Sequence, residues 1–162
     1  LAAATRVGNL IGEKNYMQAK VASLSTIYLC ILTALMNVVL ILTFRELIVS
    51  IYTTDEIIFS LAVYLLIFAA IFQLPDGIQM GALGSLRGFK DTFIPMILLF
   101  ISYWVFAMPI GYYLTMTGFN IPLGAAGMCY GMIIGLSIFA IMAVLRLRWI
   151  IKKSIERVEA IS

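Results

Sequence analysis

The chain has 162 residues, 63% of them hydrophobic and 12% charged, with a mean hydropathy of +1.06. A soluble domain carries about 45–50% apolar and about 25% charged residues, so this is the composition of an integral membrane protein. There is no histidine, the commonest general base and metal ligand, and the net charge of +3 sits in polar connections that call for no nucleic-acid partner.

The chain opens Leu1-Ala-Ala-Ala-Thr-Arg6. An apolar scrap followed by a basic loop reads as the tail of a longer helix, so the chain is expected to be an excerpt of a larger protein, with helix tail and cytoplasmic loop over 1–20. A spanning helix needs about 20 mostly apolar residues. Four segments qualify, at about 21–44, 57–86, 92–116 and 124–145, with a polar tail over 146–162. The fold class is therefore all-α, with four transmembrane helices plus the end of a preceding one. The connection at 45–56 is expected to hold an interfacial turn, and 117–123 carries turn residues. Cys30 and Cys129 lie in apolar runs without a C-x-x-C partner and read as structural. Asn37 is a candidate for an interhelical hydrogen bond. Tyr103 and Trp104 lie too deep in the third segment to act as interfacial anchors, whereas Trp149 stands among Arg146, Arg148 and Lys152 as an anchor does.

The second segment contains Gln73-Leu-Pro-Asp-Gly-Ile-Gln79. An acid inside a bilayer is costly and marks a functional site by default. Pro75 removes a backbone donor and is expected to break or kink the helix beside Asp76. Helical spacing places Phe72, Gln73, Gln79 and Met80 on or near the face of Asp76. A carboxylate, amide oxygens and freed carbonyls are hard ligands, suited to sodium or a proton, and no other metal or cofactor is implied. The alternative is that Asp76 lies in a reentrant loop or at headgroup level and is simply solvated. Pro95, Pro109 and Gly111 punctuate the third segment. In the fourth, Gly127, Gly131 and Gly135 fall every four residues on one face, where they let another helix approach closely.

Several motifs resemble those of the multidrug and toxic compound extrusion (MATE) transporters, in their NorM-like branch. Arg6-Val-Gly-Asn-Leu-Ile-Gly-Glu13 is similar to the cytoplasmic loop after their eighth helix. Phe44-Arg-Glu-Leu-Ile with Tyr52-Thr-Thr-Asp55 is similar to the outer loop after the ninth, and Gly84-Ser-Leu-Arg-Gly-Phe-Lys-Asp91 to the end of the tenth. Pro122-Leu-Gly-Ala-Ala-Gly127, followed by Gly131 and Gly135, is similar to the start of the twelfth. The resemblance implies a twelve-helix protein of two lobes, of which residues 1–162 would be part of the C-lobe. It implies that Asp76 is the acid of the C-lobe cation site, with its partner acid in a missing N-terminal part of the same chain. One turn before that acid the NorM-like branch often has a tyrosine; here the position is Phe72, so that hydroxyl is missing.

The reading is a cation-coupled multidrug efflux antiporter, not an enzyme, that exchanges small-molecule drugs for sodium or protons across a bacterial inner membrane. Out of water the charged form of Asp76 needs compensation by a proton, sodium or a cationic drug, and competition among them couples the flows. Phe72 and Met80 would line the cavity. A lipid-linked oligosaccharide flippase of the same superfamily is the first rival, but it needs basic residues inside the spans, and none of the four has one. A membrane-embedded enzyme needs a second acid or a histidine cluster, and a structural membrane subunit gives no reason for the polar stretch around Asp76.

Orientation follows from the basic residues, which concentrate on the cytoplasmic side. Of eleven lysines and arginines, only Arg45 falls on the outer side, which makes both ends cytoplasmic. In a background lacking Cys30 and Cys129, a cysteine at Asn120 should react with an impermeant thiol reagent on intact cells. One at Lys152 should react only after lysis, and the opposite pattern would invert the topology.

Overall fold

A computed structural model describes residues 2–117 and 124–159. Four stretches, Tyr16–Tyr52, Glu56–Gly88, Phe93–Met116 and Ala125–Glu156, are long and apolar enough to cross a membrane, with mean hydropathy between 2.1 and 2.5 in their most apolar windows. The chain is a multi-pass membrane protein, all-α among the described residues. The elements are α1 (Ala2–Gly12), α2 (Tyr16–Tyr52), α3 (Glu56–Gly88), α4 (Phe93–Ile101), a π-helical segment (Ser102–Ala107), α5 (Met108–Met116) and α6 (Ala125–Glu159). The segments from Phe93 to Met116 form one continuous span.

The helices outrun the apolar runs that announce them. Residues 13–15 alone separate α1 from α2, so Arg6–Gly12 is helical, not loop, and the second helix begins at Tyr16, not near 21. The expected interfacial turn within 45–56 is absent: α2 runs on to Tyr52, and only Thr53–Asp55 connects it to α3. At its far end α6 continues through 146–159, where a solvated tail was expected. Leu147 and Ile151 are buried there and Ile155 packs against the same cluster. The cause is geometric. A helix of 37 residues at about 1.5 Å each exceeds the hydrocarbon core of about 30 Å, and polar residues extend it past that core wherever a neighbouring helix is there to pack on. The connection 118–123, with Asn120 and Pro122, lies outside the described residues, as do the last residues of the tail.

Local chemistry sets the ends. Asn15 caps α2, its side chain accepting from the Gln18 amide at 3.2 Å. Asp55 caps α3, accepting from the Ile57 and Ile58 amides at 2.9 and 3.2 Å. The turns after α1 and α3 close in one way. Lys14 and Lys90 each have φ 59°; the Asn15 amide donates to the Leu10 carbonyl and the Asp91 amide to the Leu86 carbonyl. This closure usually takes glycine. Here a lysine occupies the left-handed position, where its charge also complements the helix C-terminus.

Pro75 does not break its helix: α3 is continuous from Glu56 to Gly88. The proline costs one bond, that to the Ile71 carbonyl, and the helix carries on. Pro95 lies in the first turn of α4, where a missing amide hydrogen costs nothing. Pro109 is the second residue after the π segment. Its ring excludes an ordinary turn onto the Val105 carbonyl, and the wider π register accommodates that. Asn37 is exposed and bonds no other helix among the described residues.

Helix α6 is the hub. On one side its Phe139, Ala143, Leu147 and Ile151 form the main core with Ala82 and Leu86 of α3. On the other, its glycine stripe meets the third span backbone to backbone. A Cβ on Gly127 would come 2.6 Å from the Leu114 carbonyl carbon, one on Gly135 2.5 Å from Ala107 Cβ, and one on Gly131 would overlap the Gly111 backbone. The facing stripe is Ser102, Ala107 and Gly111, all buried. Ser102 and Ala107 are five residues apart, a spacing that shares a face only because the helix between them is π. Arg146 Nε meets Asp91 Oδ2 at 2.8 Å and ties the α3–α4 turn to α6. The Arg146 guanidinium and the Lys153 ammonium lie 4.5 and 4.6 Å from the centre of the Trp149 ring.

The same one-carbon change therefore has opposite consequences at two glycines. Gly131→Ala should lower stability by about 1–3 kcal/mol through overpacking. Gly12→Ala meets open space and should be neutral or stabilise by up to about 1 kcal/mol. Thermal unfolding of the purified full-length protein checks both.

Candidate functional site

The α3–α4–α6 junction carries the polar groups. Asp76 is half-buried on α3. Gln79, one turn on, is 6% exposed, and its Nε2 donates to Asp76 Oδ1 at 2.7 Å. An ionised carboxylate only accepts, so the amide must present its nitrogen, and its oxygen is the atom left over. That oxygen, Gln79 Oε1, is buried without a hydrogen-bond partner among the described residues.

The other residues singled out by spacing part company. Phe72 and Gln73 are half-buried beside Asp76, but Gln73 makes no hydrogen bond among the described residues. Met80 is 58% exposed and looks away from Gln79, onto the outer surface of this chain. Gly77 and Gly81 put α3 against α2, where a Cβ on Gly77 would come 2.9 Å from Ala34 Cβ and 3.0 Å from the Cys30 carbonyl. Phe68 stacks edge-on against Tyr64 and against Tyr130 of α6, at 5.2 and 4.9 Å.

Two grooves flank α3 where it crosses α6. One, of about 450 Å³, is lined by Leu74, Pro75 and Ile78 of α3 with Ser137, Val144 and Arg148 of α6 among its other walls. It lies on the side of α3 away from Asp76. The second, of about 220 Å³, is lined by Leu83, Leu99 and Phe139, with Arg87 and Asp91 among its other walls. Leu83 is seven residues from Asp76, two helical turns along the same face.

The third span, packed on α6, carries two polar residues that the spacing argument around Asp76 did not include. Ser102, in the π segment, is fully buried, and its Oγ has no hydrogen-bond partner among the described residues. Tyr103, next to it, is half-buried. The sequence signal for Tyr103 was its depth, because a tyrosine far from the interface needs a polar neighbour. Among the described residues no group of three histidine, cysteine or acidic side chains gathers, so the site is one carboxylate with neutral oxygens.

A MatE family model matches residues 1–113. The chain is 41% identical over 151 residues to the multidrug resistance protein NorM of Photobacterium profundum, covering 93% of this chain and 33% of that protein. It is 43% identical to NorM of Vibrio cholerae over 94% of this chain and 34% of that one. With the multidrug resistance protein MdtK of Yersinia pseudotuberculosis it shares 38% over 94% of this chain and 34% of the relative. The chain thus spans about a third of the length of the curated relatives it matches. Its fold matches an inward-facing structure of a multidrug resistance MATE transporter with a TM-score of 0.85 at 22% identity, over 96% of this chain and 35% of that one. It matches the eukaryotic MATE transporter AtDTX14 with a TM-score of 0.82 at 19% identity, over 97% and 36%.

Proposed function

The chain belongs to the MatE family, and on that premise we propose that it forms part of the C-lobe of a multidrug efflux antiporter in a bacterial inner membrane, with Asp76 as the carboxylate that responds to the coupling ion. The relatives named as multidrug resistance proteins support the substrate class, cationic or amphipathic drugs. The Asp76–Gln79 pair carries the mechanistic part: it is a carboxylate within an apolar span, held by one buried amide at 2.7 Å.

That pair serves two charge states. When Asp76 is ionised, Gln79 donates Nε2–H to it. When Asp76 is protonated, the same amide, turned over, accepts the carboxyl hydrogen on Oε1. The site is therefore provided for in both states, and the cost of ionising in low dielectric is met by a bound cation. Sodium or a proton arriving from outside and a cationic drug arriving from inside compete for this compensation. Each charge that moves down the membrane potential supplies about 2.3 kcal/mol per 100 mV. Transport follows if ion and drug favour different orientations of the two lobes.

Drug efflux from energised vesicles holding the full-length protein, with sodium and proton gradients imposed separately, tests this. Asp76→Asn keeps shape but cannot titrate or carry charge; it should insert in normal amounts and lose gradient-driven efflux. Asp76→Glu should keep part of the rate. Gln79→Ala should be milder than Asp76→Asn, since it removes support and not the charge. Wild-type rates for Asp76→Asn under both gradients would remove Asp76 from the coupling mechanism.

A further inference from the structure

The groove of about 450 Å³ between α3 and α6 is apolar along its length and charged at one end. Its α6 wall includes Ser137, Ile141, Val144 and Arg148, which recur at helical intervals and form one stripe of that helix. Its α3 wall is Leu74, Pro75 and Ile78. Ile141 is 61% exposed and forms an open rim. The Ser137 hydroxyl is satisfied within its own helix, donating to the Ile133 carbonyl at 2.7 Å. The lining side chains therefore offer hydrocarbon everywhere except at Arg148.

Arg148 is exposed and has no ion-pair or hydrogen-bond partner among the described residues, whereas its neighbour Arg146 is taken by Asp91. One turn further on stands Lys152, whose pair with Glu156, at 3.7 Å, is exposed and weak. Trp149, next to Arg148 in the chain, takes the cations of Arg146 and Lys153 on its ring. A tryptophan so placed marks the membrane interface. From Arg148 back to Ser137 the helix runs about 16 Å, at about 1.5 Å per residue. One leaflet is half of a hydrocarbon core of about 30 Å, so the groove is about one leaflet deep.

We propose that this groove seats an anionic phospholipid of the adjoining leaflet, with an acyl chain between α3 and α6 and the phosphate held by Arg148 and Lys152. Hydrocarbon tails fill any apolar groove in a bilayer, and the two cations decide which lipid stays. A cationic drug entering here would meet Arg148 and be repelled. A zwitterionic lipid brings an amine toward the same two cations, and a lipid of net negative charge does not. The inference is independent of the role of Asp76, which lies on the other side of α3.

The test is native mass spectrometry of the purified, delipidated full-length transporter, titrated with phosphatidylglycerol or with phosphatidylcholine of the same acyl chains. The wild type should bind one phosphatidylglycerol more tightly than phosphatidylcholine. Arg148→Gln should weaken phosphatidylglycerol about fivefold and leave phosphatidylcholine unchanged, while Arg148→Lys should keep most of the preference. Ile141→Trp, which fills the groove from its rim, should weaken both lipids alike. Thermal unfolding in lipid-free detergent controls for folding. Lys152→Gln, at a side chain 78% exposed, carries the charge test with a smaller loss if Arg148→Gln does not fold. Equal affinity for the two lipids in the wild type overturns the proposal, and so does an undiminished preference in both charge variants. Wild-type affinity in Ile141→Trp overturns the seat for the chain. A wild type that retains neither lipid also overturns it, and assigns the groove to another helix of the transporter or to a second copy.

Discussion

Backbone-to-backbone contact between α6 and the third span is the constraint on which the rest of the arrangement depends. Lipid tails are as apolar as leucine, so burying leucine does not drive two helices together in a bilayer; close packing must. Gly127, Gly131 and Gly135 allow it, and no side chain can be added there without meeting Leu114, Gly111 or Ala107. Once the third span is held that close, its inner stripe cannot slide. Ser102 is locked under Gly135. The π segment belongs to the same constraint, because it brings Ser102 and Ala107 onto one face and makes room for Pro109.

How much of this could be read from the residues depends on which physical force writes the signal. Hydropathy writes the spans, since every spanning segment must be apolar over a bilayer's thickness, and all four stand where the apolar runs place them. The helix ends are written by capping and packing, which leave a faint trace. Residues 45–52 and 146–159 are polar enough to look like loop and tail, yet Val49, Leu147 and Ile151 are buried at helical intervals along them. Nothing local distinguishes a proline that breaks a helix from one that passes through it. Pro75 is tolerated because α3 is held on both sides, by α2 through Gly77 and Gly81 and by α6 through Ala82 and Leu86.

The site was legible to the same degree and for the same reason. A carboxylate in an apolar run is conspicuous, and Gln79 follows from helical spacing alone. Gln73 satisfies the spacing rule equally well and still does not reach Asp76, because a spacing of three is necessary for contact and rotamer and neighbours decide it. The π register of Ser102–Ala107, which aligns Ser102 and Ala107 against α6, is one that no α-helical pattern predicts.

The two unpaired atoms give the polar patch its direction. A core built only for stability would replace Ser102 with alanine and Gln79 with leucine, since buried acceptors without donors lower stability. Gln79 is kept beside an acid all the same, and its amide serves Asp76 at 2.7 Å. The pair therefore answers a demand other than packing, and that is the ground on which Asp76 is proposed as the coupling carboxylate.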